Sequence, residues 1–342
     1  MTRPATFLAA TAVAGLALAG SAQAQNASLY GLLDMSAGSF QNSGATKVFK
    51  ADSGNMTTSF LGFKGTEDLG GGMKAVFKIE HFLRLDKGAA GRFDGDAFWA
   101  RNAYVGLSGD FGTSQLGRNT TPLFVSTLLF NAFGDSFGFS PSIRQLFTPS
   151  TGLAFFGDTG WNNSILYASP KFGGGFSGSL IANLGEGAAG ATGKNFGGNL
   201  YWFGGPFGAT FAFQQVKNGA FGVPTGWKAQ DSVQLGGSYD FGVAKAFAQY
   251  TQVKTKATVD TKTTLYSVGV KAPVGPGNVI AQYGSAKADL PAPTADVTNK
   301  TLSVGYDYFL SKTTDVYFVY MNDKLTNLKG GNTLAAGIKL VF

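Results

Sequence analysis

The chain ends Gly331-Asn332-Thr333-Leu334-Ala335-Ala336-Gly337-Ile338-Lys339-Leu340-Val341-Phe342. Every second residue from Leu334 to Phe342 is apolar, with Ala335, Gly337 and Lys339 between them. Successive side chains of a strand point to opposite faces, so this run has one oily and one wet face and stops on an aromatic carboxyl terminus. Such a strand suits a sheet that closes on itself, with lipid outside and water within.

Working back from this run, turn signals divide the chain into sixteen alternating segments of about ten residues, the first near 28 to 40 and the last near 332 to 342. Val233, Leu235, Gly237 and Tyr239 oppose Ser232, Gln234, Ser238 and Asp240; Leu302, Val304, Tyr306 and Tyr308 oppose Ser303, Gly305 and Asp307. Connections alternate between short turns, such as Asp110-Phe111-Gly112 and Asp240-Phe241-Gly242, and long polar loops, such as 41 to 56 and 85 to 97. Short turns at one end and long loops at the other are the asymmetry of an outer-membrane barrel. Aromatic residues gather beside the short turns, as an interfacial girdle requires.

Composition agrees. The chain has 50 Gly and 31 Phe, and its mean hydropathy is +0.05, which fits alternation and is far from the value of a bundle of membrane helices. Composition alone would equally suit a secreted solenoid or sandwich. Arg3, the apolar stretch Phe7 to Ala19 and the small-residue sequence Ala22-Gln23-Ala24 read as a secretory signal cleaved after Ala24, leaving residues 25–342 as the barrel. No cysteine is present, so disulfides and thiolate chemistry are excluded. Of 27 basic residues one, Arg3, belongs to the leader, so 26 face 20 acidic ones, a net charge of +6. In an exported chain this excess suits anionic solutes and not nucleic acid.

The connection 119–160 breaks the pattern of loops. It carries Leu123, Phe124, Leu128, Phe130, Phe133, Phe139, Ile143, Leu146, Phe155 and Phe156, too much apolar surface for a solvated loop. The available shelter is the barrel interior, so the segment is expected to fold inward and narrow the lumen. The fold class is thus all-β, a 16-stranded antiparallel transmembrane β-barrel with an inward-folded constriction loop.

At this point the chain resembles a general diffusion porin of the Gram-negative outer membrane, of β-proteobacterial type. The resemblance is carried by Ser28 to Asp34, Leu61-Gly62-Phe63-Lys64-Gly65-Thr66-Glu67-Asp68-Leu69-Gly70-Gly71-Gly72, Arg101 to Leu107, Leu116-Gly117-Arg118, Asn162-Asn163-Ser164-Ile165 and Phe342. It implies a homotrimer in outer-membrane lipid, passive diffusion of small hydrophilic solutes and ions, and recognition of the last strand (Ile338, Leu340, Phe342) by the barrel-assembly machinery. It also implies a basic ladder facing an acidic loop. Arg101 and Arg118 match the wall arginines by position, and alternation places Lys64, Lys74, Lys78 and Glu80 on luminal faces. The loop supplies Asp135 and Asp158, with Arg144 opposing them. Phe60 and Gly160-Trp161 stand where the family commonly has basic residues, so the field should be weaker and the anion preference mild. Phe60 and Trp161 would then be candidates for an aromatic lining.

No catalytic, cofactor or metal site is expected. The only histidine, His81, points to the face opposite Glu80 and reads as a lipid-interface or loop-edge residue, which leaves a barrel hydrolase without its base. Asp94-Gly95-Asp96 lacks the rest of a calcium loop. The rival readings are a saturable channel for one substrate and an adhesin.

Overall fold

The computed structural model describes residues 26–151, 155–185, 194–217, 223, 225–291 and 293–342. The leader and its cleavage motif lie outside them. The described chain forms β1 (Asn26–Phe40), β2 (Val48–Ser53), β3 (Phe60–Gly70), β4 (Met73–Arg84), β5 (Ala89–Ala90), β6 (Asn102–Gly109), β7 (Gly112–Thr120), α1 (Pro122–Leu129), α2 (Pro141–Phe147), β8 (Gly160–Ala168), β9 (Phe176–Asn183), β10 (Phe196–Gly204), β11 (Phe207–Val216), β12 (Ala229–Asp240), β13 (Lys245–Lys256), β14 (Thr261–Val274), β15 (Gly277–Asp289), β16 (Val297–Phe309), β17 (Thr314–Leu325) and β18 (Gly331–Val341).

Sixteen of these make a closed antiparallel barrel. Strand β2 pairs with the upper part of β1 and continues β3 beyond a break at 54–59, and β5 is a short ribbon on the end of β4. Closure comes from β1 against β18, in register from Leu32 opposite Val341 to Ser39 opposite Leu334. Phe342 extends it: its amide and carbonyl exchange bonds with Gly31 at 3.1 and 2.9 Å. A side chain at Gly31 would meet the Phe60 carbonyl and the Phe342 ring, so the seam needs glycine there.

The two faces fall as the alternation predicts. Leu334, Ile338, Leu340 and Phe342 are exposed on the outside, as are Val233, Leu235, Leu302 and Val304, whereas Ser232, Gln234, Thr301 and Ser303 are buried within. No described helix is long and apolar enough to cross a membrane, and the crossing is by strands. Beside the short turns Phe207, Tyr239 and Phe241 stack edge to face at 4.6 and 4.5 Å.

The long connection enters the barrel, and it is more ordered than a loop. Thr121 and Ser140 cap two short helices, their hydroxyls accepting from the Phe124 and Ile143 amides, and Pro122 and Pro141 occupy the first turns. These Thr-Pro and Ser-Pro pairs are the local signal for the helices. Helix α1 lies against β9 to β12 and α2 against β14 to β16. Apolar burial supplies only part of the adhesion. Leu123, Leu146 and Phe155 meet Ala212, Val253, Leu265 and Ala286, while Phe133 and Phe139 meet Met56, Tyr317 and Val319. Between these patches the wall offers amides and hydroxyls: Gln249 donates to the Thr127 carbonyl at 2.7 Å, Gln282 to Ser142 Oγ at 2.9 Å, Asn199 to the Pro122 carbonyl at 2.9 Å and Ser303 to the Phe139 carbonyl at 2.6 Å. The backbone of the inserted segment thus finds partners that water would otherwise provide. Its tip is held from the other side, where Ser136 donates to the Asn55 carbonyl at 2.6 Å in the break between β2 and β3.

Candidate functional site in the barrel lumen

The wall from β1 to β6 that the inserted segment leaves uncovered carries the charged side chains. On β3 and β4, Lys64 and Lys78 are directly opposed, and Glu80 follows two residues along the same face. Glu80 is 1% exposed and fully engaged: it accepts from Arg101 Nη1 at 2.5 Å, the Tyr30 hydroxyl at 2.7 Å and Asn102 Nδ2 at 2.5 Å. Arg101 lies over the Phe60 ring at 4.1 Å and keeps about a third of its side chain in water. Lys64 sits over Tyr30 at 4.6 Å and Lys78 near Tyr104 at 6.0 Å, and among the described residues neither has an ion-pair partner. Asp135, at the tip of the inserted segment, accepts from Thr57 Oγ1 at 3.3 Å. Burial pushes its carboxyl up, and the pull of Arg101 and Thr57 does not cancel that.

Nearer the long-loop end, a second cluster straps the loop 85–101 to the end of the inserted segment. Arg92 grips two carboxylates, Asp96 at 2.9 and 3.1 Å and Asp158 at 2.7 and 3.2 Å. Arg118 reaches Asp158 at 3.3 Å while bonding the Ala100 carbonyl and Asn162 at 2.5 and 2.8 Å. Asp158 takes a left-handed backbone, φ 49°, to present its carboxylate between them. Burial works against its charge and that of Asp96, but the arginine bonds win and hold both carboxyls below the usual range; the Arg92 guanidinium is pushed up in return.

A closed 16-stranded barrel with a charged wall facing an inserted loop can be set beside known proteins. The Gram-negative porin family matches residues 9–328. This chain belongs to that family. It is 34% identical to outer membrane porin protein 32 of Delftia acidovorans over 319 residues, 90% of this chain and 86% of that one, and 29% identical to an outer membrane porin protein of Bordetella pertussis over 91% and 92% of the two chains. Among solved structures, an anion-selective porin from Comamonas acidovorans superposes with TM-score 0.77 at 28% identity, over 93% of this chain and all of that one. The protein is an outer-membrane channel for passive diffusion, not an enzyme.

In this porin the residues singled out by sequence fall into three places. Lys78, Glu80 and Arg101 meet on the open wall, with Asp135 on the loop side. Asp158 and Arg118 are brought together, but as partners in the strap, with Asp158 neutralised by two arginines. Arg144 is in neither group: on α2 it donates to the Gly138 carbonyl at 3.1 Å and to Asn42 Oδ1 at 2.9 Å, and so does not oppose Asp135 and Asp158 as expected. The aromatic lining is also corrected. Phe60 is 9% exposed beneath Arg101, and Trp161 is packed among Phe156, Leu166, Ile181 and Val216. Both are covered by packing, Phe60 by Leu32, Phe82 and Ala100 with Arg101 over its ring, and Trp161 by its apolar cluster. Sequence reasoning missed Arg92, whose partner Asp158 is far along the chain, and the tyrosines Tyr30 and Tyr104. His81 is buried at a loop edge, stacked on Phe98 at 4.0 Å and hydrogen-bonded to its carbonyl. Asp94 and Asp96 are held by Arg84 and Arg92, as arginine partners and not as a calcium loop.

Proposed function

We propose that this porin passes small anions somewhat more readily than cations, through a constriction set by Lys64, Lys78, Glu80 and Arg101 on the wall and Asp135 on the inserted segment. The observation that carries this reading is the saturation of Glu80. With its carboxylate spent on Arg101, Tyr30 and Asn102, Lys64 and Lys78 face the passage uncompensated except by Asp135. Three cations against two carboxylates make a weakly positive ring, and rings of one sign select ions of the other. Asp158 does not offset it, since Arg92 and Arg118 hold that charge in the strap. The relative of known structure named as anion-selective supports the same sign.

The test is the zero-current potential of the purified protein in a planar bilayer under a KCl gradient. A small potential of the sign set by chloride is expected; a cation-selective potential overturns the reading.

The reading extends to assembly and export. The leader 1–24 is removed, which amino-terminal sequencing of outer-membrane material checks by a start at Gln25. Ile338, Leu340 and Phe342 face outward on the closing strand and serve the barrel-assembly machinery. The unit is a homotrimer, joined through the outer face of β3, β4, β6 and β7, where Ala75, Phe77, Val105, Leu107 and Leu116 line a groove of about 410 Å³. Unheated gel electrophoresis and native mass spectrometry should give three times the chain mass, and a monomer in mild detergent refutes it.

A further inference from the structure

Between the strap, the break after β2 and the inserted segment lies a chamber of about 630 Å³ with an unusual lining for a water-filled pore. On the loop side Phe137, Phe147 and Phe155 face it, and they belong to one aromatic chain: Phe137 to Phe124 at 6.0 Å, Phe124 to Phe147 at 5.0 Å, Phe147 to Phe155 at 5.0 Å, the last two edge to face. Across from them, on the strap loop, Phe93 also lines the chamber, with the Arg92 guanidinium over it at 5.4 Å. Phe155 is buried among Leu123, Leu146 and Leu265, with Phe147 packed against the same cluster, so the rings on the loop side are fixed in place.

The same chamber holds Arg144. Its two terminal nitrogens each give one bond, to the Gly138 carbonyl and to Asn42, both neutral acceptors, and among the described residues its Nε has no partner. A guanidinium has five donors in a fork that matches a carboxylate, so this one is under-used. Asp323 acts on it only at longer range and spends its own oxygens on Asn299, Thr301 and the Ser43 amide. Asp158, which also lines the chamber, is consumed by Arg92 and Arg118. The lining therefore combines a guanidinium that has no direct ion pair among the described residues with aromatic rings, in a volume typical of small-molecule sites.

We propose that this chamber is a saturable binding site for small aromatic carboxylates, with the carboxylate on Arg144 and the ring among Phe93, Phe137 and Phe147. It rests on the porin reading and deepens it: ions pass by diffusion, while one class of organic anion pauses before the constriction. Rings in such sites prefer edge or offset contacts, which the existing aromatic chain offers, and a carboxylate on an arginine gains a charge-assisted pair.

The test is open-channel current through the full-length protein in planar bilayers, with KCl alone and then with benzoate, acetate or benzyl alcohol added on the long-loop side. Benzoate is expected to reduce the current with a saturating dose response. Acetate, which keeps only the charge, and benzyl alcohol, which keeps only the ring, should each need about tenfold more for the same effect. In Arg144→Gln the half-blocking concentration of benzoate should rise by roughly tenfold, and in Phe137→Ser by severalfold, each measured against that variant's own current in KCl. Equal potency of benzoate and acetate, or of benzoate and benzyl alcohol, overturns the proposal in the wild-type protein without any variant. Normal KCl current with no saturation by benzoate overturns it and leaves the porin reading standing; absence of KCl current removes both.

Discussion

The two halves of the inner wall are built from the same alternating strands and do opposite things. From β9 to β17 the luminal residues are mainly Asn, Gln, Ser, Thr and apolar groups, with Tyr201 and Tyr317 among them; the inserted segment lies on this side, and the buried carboxylate of Asp323 is held by Asn299, Thr301 and the Ser43 amide. From β3 to β6 the luminal residues include Lys64, Lys74, Lys78, Glu80 and Tyr104, with Arg101 just before β6, and neither α1 nor α2 lies on them. The difference shows what decides whether a pore wall is covered. Neutral amides and hydroxyls can trade water for the carbonyls and hydroxyls of α1 and α2 at little net cost. Lysines cannot be buried that way, because losing the hydration of an unpaired charge costs several kcal/mol. In this pore the side left open by α1 and α2 is the one that keeps Lys64 and Lys78 without ion-pair partners among the described residues.

Destroying the covered half should have the largest effect. Phe139 is wholly buried, packed on Tyr317 at a ring distance of 6.1 Å, beside Ile143, which is equally buried. Phe139→Ala should destabilise the insertion by about 3–5 kcal/mol. The double change Phe139→Asp with Ile143→Asp should expel the segment, raising single-channel conductance roughly twofold or more and removing ion preference. Unchanged conductance in that double variant would mean that the insertion does not set the pore.

Damage to the open half should change sign before it changes size. In Arg101→Gln the constriction loses one cation and the buried Glu80 loses its counter-charge, a local cost of about 3–5 kcal/mol. The zero-current potential should move towards cation preference while conductance stays within about twofold. A companion Glu80→Gln should move it the other way. Two shifts of the same sign would break the assignment of these charges to the passage.

How much of this contrast could be read from the chain follows from the range of the interactions. Alternation is local, so the strands are legible from runs such as Leu302 to Tyr308, and the oily content of 119–160 signals that it must be covered. Thr121-Pro122 and Ser140-Pro141 mark the helices inside it. The partners are another matter. That Arg118 serves the strap, that Arg144 turns towards Asn42, and that Phe60 is a floor under Arg101 depend on which strand ends meet across the barrel, and no spacing records that. The wall glutamines are read as ordinary wet-face residues until the segment lies on them.

Acid should separate the two regions in two steps. Asp135 has its carboxyl pushed up by burial, so on falling pH it is the first of these groups to lose charge, and anion preference should grow in mildly acidic solution. Asp96 and Asp158 are held below the usual range, so their contribution to the strap is complete above the unfolded carboxylate value near 3.9 and is lost only as the pH drops through their depressed values. Zero-current potential should therefore change first, and open-channel noise from a loosened strap should appear only in stronger acid. In Asp135→Asn the first step should vanish and the second remain. Simultaneous steps would show that the tip and the strap are not independent.

The smallest expected effect probes the amide ladder itself. Gln282 donates to Ser142 Oγ at 2.9 Å and to Ser267 Oγ at 2.8 Å, and accepts from the Phe133 amide at 3.4 Å. Gln282→Leu keeps the volume and removes the bonds, leaving the Phe133 amide to rely on Asn131 Oδ1 at 3.0 Å. A net loss of about 1–2 kcal/mol follows from bonds of this kind, seen as a lower melting temperature with conductance unchanged. If Gln282→Leu is instead as stable as the parent, this rung adds nothing to the hold on the insertion, and the wall grips it through apolar contact and the bonds of Gln249, Asn199 and Ser303.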